Sequence, residues 1–162
     1  MANRLHLHLE SFSKRPALFQ IKKEDWEAAA KRHRALAKKL NVTFGWDGDV
    51  LGDALKTADF MINSSPPKDQ LRQRAPRLKW IQTTGAGMDG LLPLDWLPAD
   101  VMLTNNTDAH GDKAEDSCIM AISALNARLP QLLAHQRNHE WKQIFTTPVA
   151  GKTVVVIGFG DL

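Results

Sequence analysis

The sequence predicts an α/β protein built on a doubly wound parallel sheet with helices on both faces. Short strand-like apolar runs alternate with helical runs over the first hundred residues, and parallel strands need such helical crossovers. A glycine-rich segment directly follows one of the strand-like runs, as expected of a ligand-binding loop. At 162 residues, with 43% apolar and 24% charged residues, the chain has the composition of a soluble globular protein.

The elements of the first hundred residues follow in order. The predicted strands are residues 5–9, 42–46, 59–63, 79–83 and 101–104. The predicted helices are residues 23–40, 49–57 and 67–74. The longest of these helices has a stripe at spacings of three and four residues, formed by Trp26, Ala30, His33, Ala37 and Leu40. Prolines at the start of the 67–74 helix suit its first turn.

The alternation of predicted strands and helices ends after Asn106. Two helices, 110–128 and 130–144, follow one another without a strand between them, so we place a domain boundary near residues 105–110. Gly151 then introduces a new apolar strand over 154–157. Gly158 and Gly160 fit the first two glycines of the G-x-G-x-x-G turn that binds a dinucleotide.

Composition excludes several classes of function. The net charge is +3, and its densest run, residues 31–39, is interpreted as a solvated helix face, so nucleic acid is not an expected partner. No uncharged apolar stretch is long enough to span a membrane, and the N-terminus lacks the apolar region of a secretory signal. The single cysteine, Cys118, fits a reducing cytoplasm.

The most informative loop is residues 83–90, TTGAGMDG, which follows the KWIQ strand. Two glycines allow backbone N–H groups to face a ligand without side-chain obstruction, an arrangement that suits a carboxylate or phosphate. The alternative is a glycine-rich turn capped by Asp89.

Three sequence motifs together resemble those of a known enzyme family. LKWIQTTGAGMD (78–89), LTNN (103–106) with the acidic helix start that follows, and Trp141 with GKTVVVIGFG (151–160) occur in one order. In that order they resemble the D-isomer-specific 2-hydroxyacid dehydrogenases. The resemblance implies a flavodoxin-like substrate-binding lobe over residues 1–108, interdomain helices over 109–150, and the start of an NAD(P)-binding Rossmann domain at 151–162.

The activity implied by this resemblance is hydride transfer between NAD or NADP and a small 2-keto or 2-hydroxy acid of the glyoxylate or hydroxypyruvate type. The family's catalytic arginine, glutamate and histidine have no counterpart in residues 1–162. We therefore expect no catalytic residue in this chain, no turnover, and poor or no NAD(P) binding.

The implied substrate-binding residues are Ala86 and Gly87, through backbone N–H groups, with Gly85 providing freedom to turn. His110 is a further candidate contact to substrate or coenzyme, although a helix-capping role would also explain it. Gly158 and Gly160 are the implied coenzyme-binding residues, in an incomplete site.

Two departures from the family pattern concern the loop that enters the interdomain helix. Asp108 stands where the family has glycine. The family's helix-start glutamate corresponds either to Glu115 or to Asp116, because the loop permits both registers, and a helix N-terminus stabilises either carboxylate without catalysis.

The remaining conspicuous residues favour structural interpretations, and we predict no metal site. His135 and His139 are four residues apart but lack a third ligand. His6 and His8 share one strand face, where edge exposure or core hydrogen bonding is expected. Cys118 and most of the five tryptophans are expected in the core.

Two other functions stay open at this stage, a non-catalytic anion-binding module of flavodoxin-like fold and a protein-interaction module. Residues 154–157 motivate the second, because an unpaired apolar strand associates readily. We expect this strand to pack on its own lobe, to pair with another copy or to be ordered by crystal contacts.

Overall fold

A computed structural model describes residues 4–107 and 109–158. The chain divides into two compact units after residue 107. The first unit contains a five-stranded sheet in which every pairing is parallel and the strand order is β2-β1-β3-β4-β5. This is the order of flavodoxin-like doubly wound sheets, and it confirms the predicted fold class.

The strands are short and all begin within the predicted runs or within two residues of them. They are β1 (Leu5–Ser11), β2 (Leu40–Trp46), β3 (Phe60–Asn63), β4 (Trp80–Gln82) and β5 (Met102–Thr104). The helices of the first unit are α1 (Lys23–Arg32), α2 (Arg34–Ala37), α3 (Leu51–Leu55) and α4 (Leu71–Arg74). Those of the second unit are α5 (Gly111–Asn126) and α6 (Leu129–Arg137).

All five predicted helices are shorter in the structure, and the backbone shows why for three of them. The 23–40 helix is interrupted at His33, where φ is −121° and ψ is 48°, and Leu40 belongs to β2 because its ladder with β1 begins there. The 67–74 helix starts only at Leu71, since Gln70 adopts a left-handed φ of 52°. The 130–144 helix ends at Arg137, and His139 shortly beyond it has a φ of 55°.

A cluster of buried apolar residues in the first unit lies on one face of the sheet, while Leu7 and Leu9 are buried on the opposite face. Met61 and Ile81 are neighbours across β3 and β4, and both are fully buried. Helices α3 and α4 and the segments that follow them cover this row. The buried residues of the cluster are Leu55, Ala58, Met61, Leu71, Ala75, Leu78, Ile81 and Val101. Burial of this apolar surface stabilises the sheet from this side by about 25 cal/mol for each Å² removed from water.

A row of polar side chains continues the same face of β1. His6, His8 and Glu10 alternate with leucines along the strand and are all buried. Thr43 Oγ1 on β2 lies 2.8 Å from His6 Nε2 and 2.9 Å from His8 Nδ1, while His8 Nε2 lies 2.9 Å from Glu10 Oε2. The Gly48 N–H donates to Glu10 Oε1 at 2.8 Å. Hydrogen bonding within the core therefore explains how both histidines can be buried.

The surroundings of His6 favour its neutral form. Burial lowers the pKa of His6 because the charged imidazolium loses its hydration, and the nearby His8 and Arg77 act in the same direction. A hydrogen bond to the Thr57 backbone and the charge of Asp59 raise the pKa of His6 without cancelling this shift.

We expect the free energy of unfolding to fall as the pH is lowered from about 7.5 to about 5. Below the ordinary histidine pKa of about 6.5 the unfolded chain takes up a proton at His6 that the folded chain does not, so protonation favours unfolding. Urea titrations at several pH values measure this slope. His6→Asn is expected to flatten the profile, and His33→Asn, at an exposed position, to leave it unchanged. An equally steep profile for His6→Asn would contradict the assignment.

The second unit has no buried residue among those described. Cys118 is exposed on α5, so the prediction that it lies in the core is wrong. The tryptophan prediction is also wrong, because none of the five is buried and Trp141 is 89% exposed. No helix among the described residues is long and apolar enough to cross a membrane.

The strand predicted over residues 154–157 is not formed. These residues carry no strand hydrogen bonds, and their side chains are 52% to 97% exposed. A β-strand exists only when a neighbour pairs with its backbone groups, and no described segment pairs with this one. The prediction of a strand is therefore wrong for the described residues, and the pairing of this segment with another copy stays a prediction.

Candidate functional site

The 83–90 loop leaves the carboxyl end of β4, which lies between β3 and β5 in the sheet. Residues 105–107 leave the carboxyl end of the neighbouring strand β5. Because parallel strands end at the same edge, these two segments run side by side, and the Thr83 N–H donates to the Thr104 carbonyl at 2.9 Å. Ligands of doubly wound sheets bind beyond this edge.

Two carbonyl groups of the loop are held by the segment after β5. The Gly85 carbonyl accepts from the Asn106 N–H at 3.0 Å and from the Thr83 hydroxyl at 3.0 Å. The Ala86 carbonyl accepts from Asn105 Nδ2 at 2.7 Å. Both carbonyls therefore point towards residues of the first unit rather than into solvent.

The start of the loop is tied to the sheet below it. Trp80 Nε1 donates to Thr104 Oγ1 at 2.8 Å, and that hydroxyl donates to Gln82 Oε1 at 2.6 Å. Gln82 Nε2 in turn donates to the Thr83 carbonyl at 2.8 Å. This chain of hydrogen bonds runs from the indole of β4 to the first residue of the loop and holds the loop on the sheet.

The anchored carbonyls determine where the next N–H groups point. In a trans peptide the C=O of one residue and the N–H of the following residue point in opposite directions, and neither peptide is cis. The N–H groups of Ala86 and Gly87 therefore point away from residues 105 and 106. Neither donates to an acceptor within residues 4–107 or 109–158. Nearby, Thr84 Oγ1 is buried without a hydrogen-bond partner in the same described ranges.

The glycines of the loop have a different role from the one expected. Gly85 and Gly87 have φ angles outside the left-handed region, so the turn does not require glycine at either position, and the predicted role of Gly85 in turning the chain is not supported. A Cβ at either residue would meet no atom within 4 Å. Because glycine has no side chain, Gly85 and Gly87 leave open space beside the N–H groups of Ala86 and Gly87.

The alternative of a turn capped by Asp89 is not observed. The Asp89 side chain is exposed and forms no hydrogen bond to any described residue. The turn is closed instead by the N–H groups of Leu91 and Leu92, which donate to the Met88 carbonyl at 2.8 and 3.2 Å. Lys68 places an ammonium group at the end of the loop, where Nζ donates to the Gly90 carbonyl at 2.6 Å.

His110 and the acidic residues after it belong to the second unit. His110 is the N-cap residue of α5, and its carbonyl accepts from the Ala114 N–H at 2.9 Å, but its exposed side chain makes no capping hydrogen bond. Glu115 and Asp116 are exposed and lie beyond the first turn, whose acidic residue is Asp112. Asp108 lies outside the described residues.

Of the two predicted coenzyme-binding glycines, the structure describes Gly158. Gly158 is exposed and adopts a φ of 91°, a left-handed conformation that favours glycine. Gly160 lies outside the described residues. The Gly158 geometry suits the tight turn that the first glycine of the dinucleotide motif makes.

His135 and His139, which are four residues apart, do not share a helix face. His135 Nδ1 lies 3.0 Å from Glu140 Oε2, whereas His139 follows the end of α6. Within residues 4–107 and 109–158 there is no group of three or more His, Cys, Asp or Glu side chains that could hold a metal ion.

Sequence reasoning missed two residues that shape the loop. Asn105 holds the Ala86 carbonyl, and Thr107 donates to Asn105 Oδ1 at 2.6 Å. The available signal was the position of two short polar side chains at the end of a strand beside the glycine-rich loop, because strands adjacent in a sheet bring their following segments together.

No protein-family model and no curated protein matches the sequence. Several solved structures are similar to it, among them the following three. One is a D-isomer-specific 2-hydroxyacid dehydrogenase from Xanthobacter autotrophicus Py2 in complex with NADPH and MES, with 22% identity and a TM-score of 0.60 over 90% of this chain and 43% of that one. The second is a D-isomer-specific 2-hydroxyacid dehydrogenase family protein from Aeromonas salmonicida, with 21% identity and a TM-score of 0.53 over 90% and 43%.

The third is a phosphoglycerate oxidoreductase from Rhizobium etli, with 20% identity and a TM-score of 0.57 over 96% of this chain and 48% of that one. The chain thus spans less than half the length of each of these proteins. At this level of identity the likeness concerns the fold. The chain has the fold of one part of D-isomer-specific 2-hydroxyacid dehydrogenase structures.

Proposed function

We propose that the chain is the substrate-binding part of an NAD(P)-dependent 2-hydroxyacid dehydrogenase and that its 83–90 loop binds the substrate carboxylate. The observation that carries the proposal is the pair of adjacent N–H groups, on Ala86 and Gly87, that point away from their anchored carbonyls. The open space beside Gly85 and Gly87 supports it. The fold shared with dehydrogenase structures supports the choice of reaction.

The chemistry of the proposed reaction has four requirements. Hydride transfer to a 2-keto acid needs a fixed carboxylate, a polarised carbonyl, an acid for the developing alkoxide, and a nicotinamide. The loop meets the first requirement, because N–H groups that donate to an ionised carboxylate form strong, short hydrogen bonds.

The nicotinamide coenzyme, when bound, supplies the hydride. Gly158 and Gly160 are the residues of this chain that we propose to form the turn at its pyrophosphate, and the left-handed φ of Gly158 fits the first glycine of that turn. In this proposal residues 1–108 are the substrate lobe, 109–150 the interdomain helices and 151–162 the start of the coenzyme domain. The substrate class is a small 2-keto or 2-hydroxy acid such as glyoxylate or hydroxypyruvate.

We expect the 162-residue chain to bind pyruvate and glyoxylate but not the neutral analogue pyruvamide. Calorimetric titration measures this difference, which isolates the carboxylate. Gly87→Ala is expected to weaken pyruvate binding about tenfold, because its methyl group enters the space beside the N–H donors. Gly52→Ala, exposed on α3 with similar open space, is the matched control. Equal affinity for pyruvate and pyruvamide would refute carboxylate binding at this loop.

We also expect the purified chain to show no oxidation of NADH or NADPH with glyoxylate or hydroxypyruvate, because three of the four requirements have no proposed source in residues 1–162. A form extended by about one further domain should show that activity. The loss of the absorbance of the reduced coenzyme follows the reaction. Turnover by the chain of residues 1–162 would overturn the assignment of the remaining groups to another part of the protein.

A second candidate function is association with a partner chain. The exposure of Val155 and Ile157, 80% and 97%, favours it, since apolar side chains left in water lose burial energy. Self-association through residues 154–157 would appear in sedimentation velocity as a concentration-dependent dimer. A monomer at all concentrations would exclude that self-association.

A further inference from the structure

We infer that Asn105 is a positioning residue, which orients the Gly87 N–H for the substrate carboxylate by holding the Ala86 carbonyl. The inference rests on the proposed function of the 83–90 loop, to which it adds a residue that never touches the substrate. Asn105 lies after β5, and its Nδ2 donates to the Ala86 carbonyl at 2.7 Å.

Thr107 fixes which end of the Asn105 amide faces the loop. A carbonyl only accepts hydrogen bonds, so the Ala86 oxygen requires the Nδ2 end of the amide. The Oδ1 end then needs a donor, and the Thr107 hydroxyl supplies one at 2.6 Å. With both ends engaged, the amide cannot flip without breaking two hydrogen bonds.

The effect of Asn105 is specific to one of the two N–H groups. The Ala86 carbonyl and the Gly87 N–H belong to the same trans peptide, so holding the one directs the other. The Ala86 N–H belongs to the preceding peptide, whose carbonyl on Gly85 is held by the Asn106 N–H and the Thr83 hydroxyl. Loss of the Asn105 amide should therefore loosen Gly87 and leave Ala86 in place.

The test uses the variants Asn105→Ala, Thr107→Val and Thr107→Ser of the full chain, with pyruvate as the probe. We expect Asn105→Ala to weaken pyruvate binding about tenfold and Thr107→Val to weaken it less. Thr107→Ser keeps the hydroxyl and should bind as the wild type does. Backbone ¹⁵N relaxation of the ligand-free proteins gives the second readout, an order parameter that falls at Gly87 and not at Ala86 in Asn105→Ala.

The two readouts separate this inference from the proposed function. If the wild type binds pyruvate and Asn105→Ala binds it equally well, the inference is overturned and carboxylate binding stands. If the wild type binds no keto acid, the proposed function is overturned, and the order parameters decide about Asn105. An unchanged Gly87 amide in Asn105→Ala refutes the positioning role in either case, and a uniform loss of order across the loop refutes its specificity for Gly87.

Discussion

Gly45→Ala is expected to lower the free energy of unfolding of the sheet unit by about 2–4 kcal/mol. A methyl group at Gly45 would overlap the Glu10 Oε2 atom and come within 3.0 Å of His8 Cε1. The Glu10 carboxylate cannot swing aside at little cost, because it is 1% exposed and hydrogen-bonded to His8 and to the Gly48 N–H. Urea or guanidinium titration followed by circular dichroism measures the loss.

Gly52→Ala is the matched control for this change. Gly52 lies in α3, is exposed and has no atom within 4 Å of an added Cβ. Alanine favours a helix over glycine, so this variant should be about 0.5–1 kcal/mol more stable than the wild type. Opposite signs for the two Gly→Ala changes are therefore expected. A Gly45→Ala protein as stable as the wild type would show that the space beside Glu10 is not filled as described.

Glu10→Ala is expected to lower the free energy of unfolding by about 3–5 kcal/mol. It removes the partner of His8 Nε2 and the acceptor of the Gly48 N–H, and leaves a cavity among buried atoms. Glu10→Gln preserves the shape and one acceptor oxygen, so it should cost less. The same denaturant titrations compare the two variants.

Combining Gly45→Ala with Glu10→Ala tests whether the two residues act through the same space. The methyl group added at position 45 no longer meets a carboxylate oxygen once Glu10 is truncated. We therefore expect the double variant to lose less stability than the sum of the single variants, by about 1–2 kcal/mol. Strict additivity would mean that Gly45 and Glu10 are not in contact.

The sheet could be predicted because each strand has a local signature. Alternating leucines in β1 and the apolar run of β3 are visible without tertiary information. Helix bounds were less predictable because the pattern that suggested 23–40 includes Leu40, an apolar residue that pairs with β1 as part of a strand. The strand expected over 154–157 failed for a related reason, since its signature is local but its hydrogen bonds need a neighbour.

The candidate site was predictable only in part. The glycines of the 83–90 loop mark a place where a ligand can approach the backbone, and residues 83–90 do lie at the carboxyl edge of the sheet. The direction of each N–H could not be predicted, because it depends on Asn105 and Asn106, which lie further along the chain after β5. For the same reason the two threonines that contact the rings of His6 and His8, Thr43 on β2 and Thr57 before β3, have no signature within β1.

The row of polar side chains on β1 and β2 also restricts the register in which β2 can pair with β1. Among the described residues β2 is an edge strand that pairs with β1, so its register is set from one side. A slip of one residue would turn Thr43 to the opposite face and leave the ring nitrogens of His6 and His8 without their shared partner. A slip of two residues would put Asn41 or Gly45 in the place of Thr43 opposite His8. Either shift removes the hydroxyl from that place, and the first also puts the Thr43 side chain against Glu10. In the observed register all these polar groups have hydrogen-bond partners. A misaligned β2 would lose these hydrogen bonds, so the network disfavours misalignment during folding.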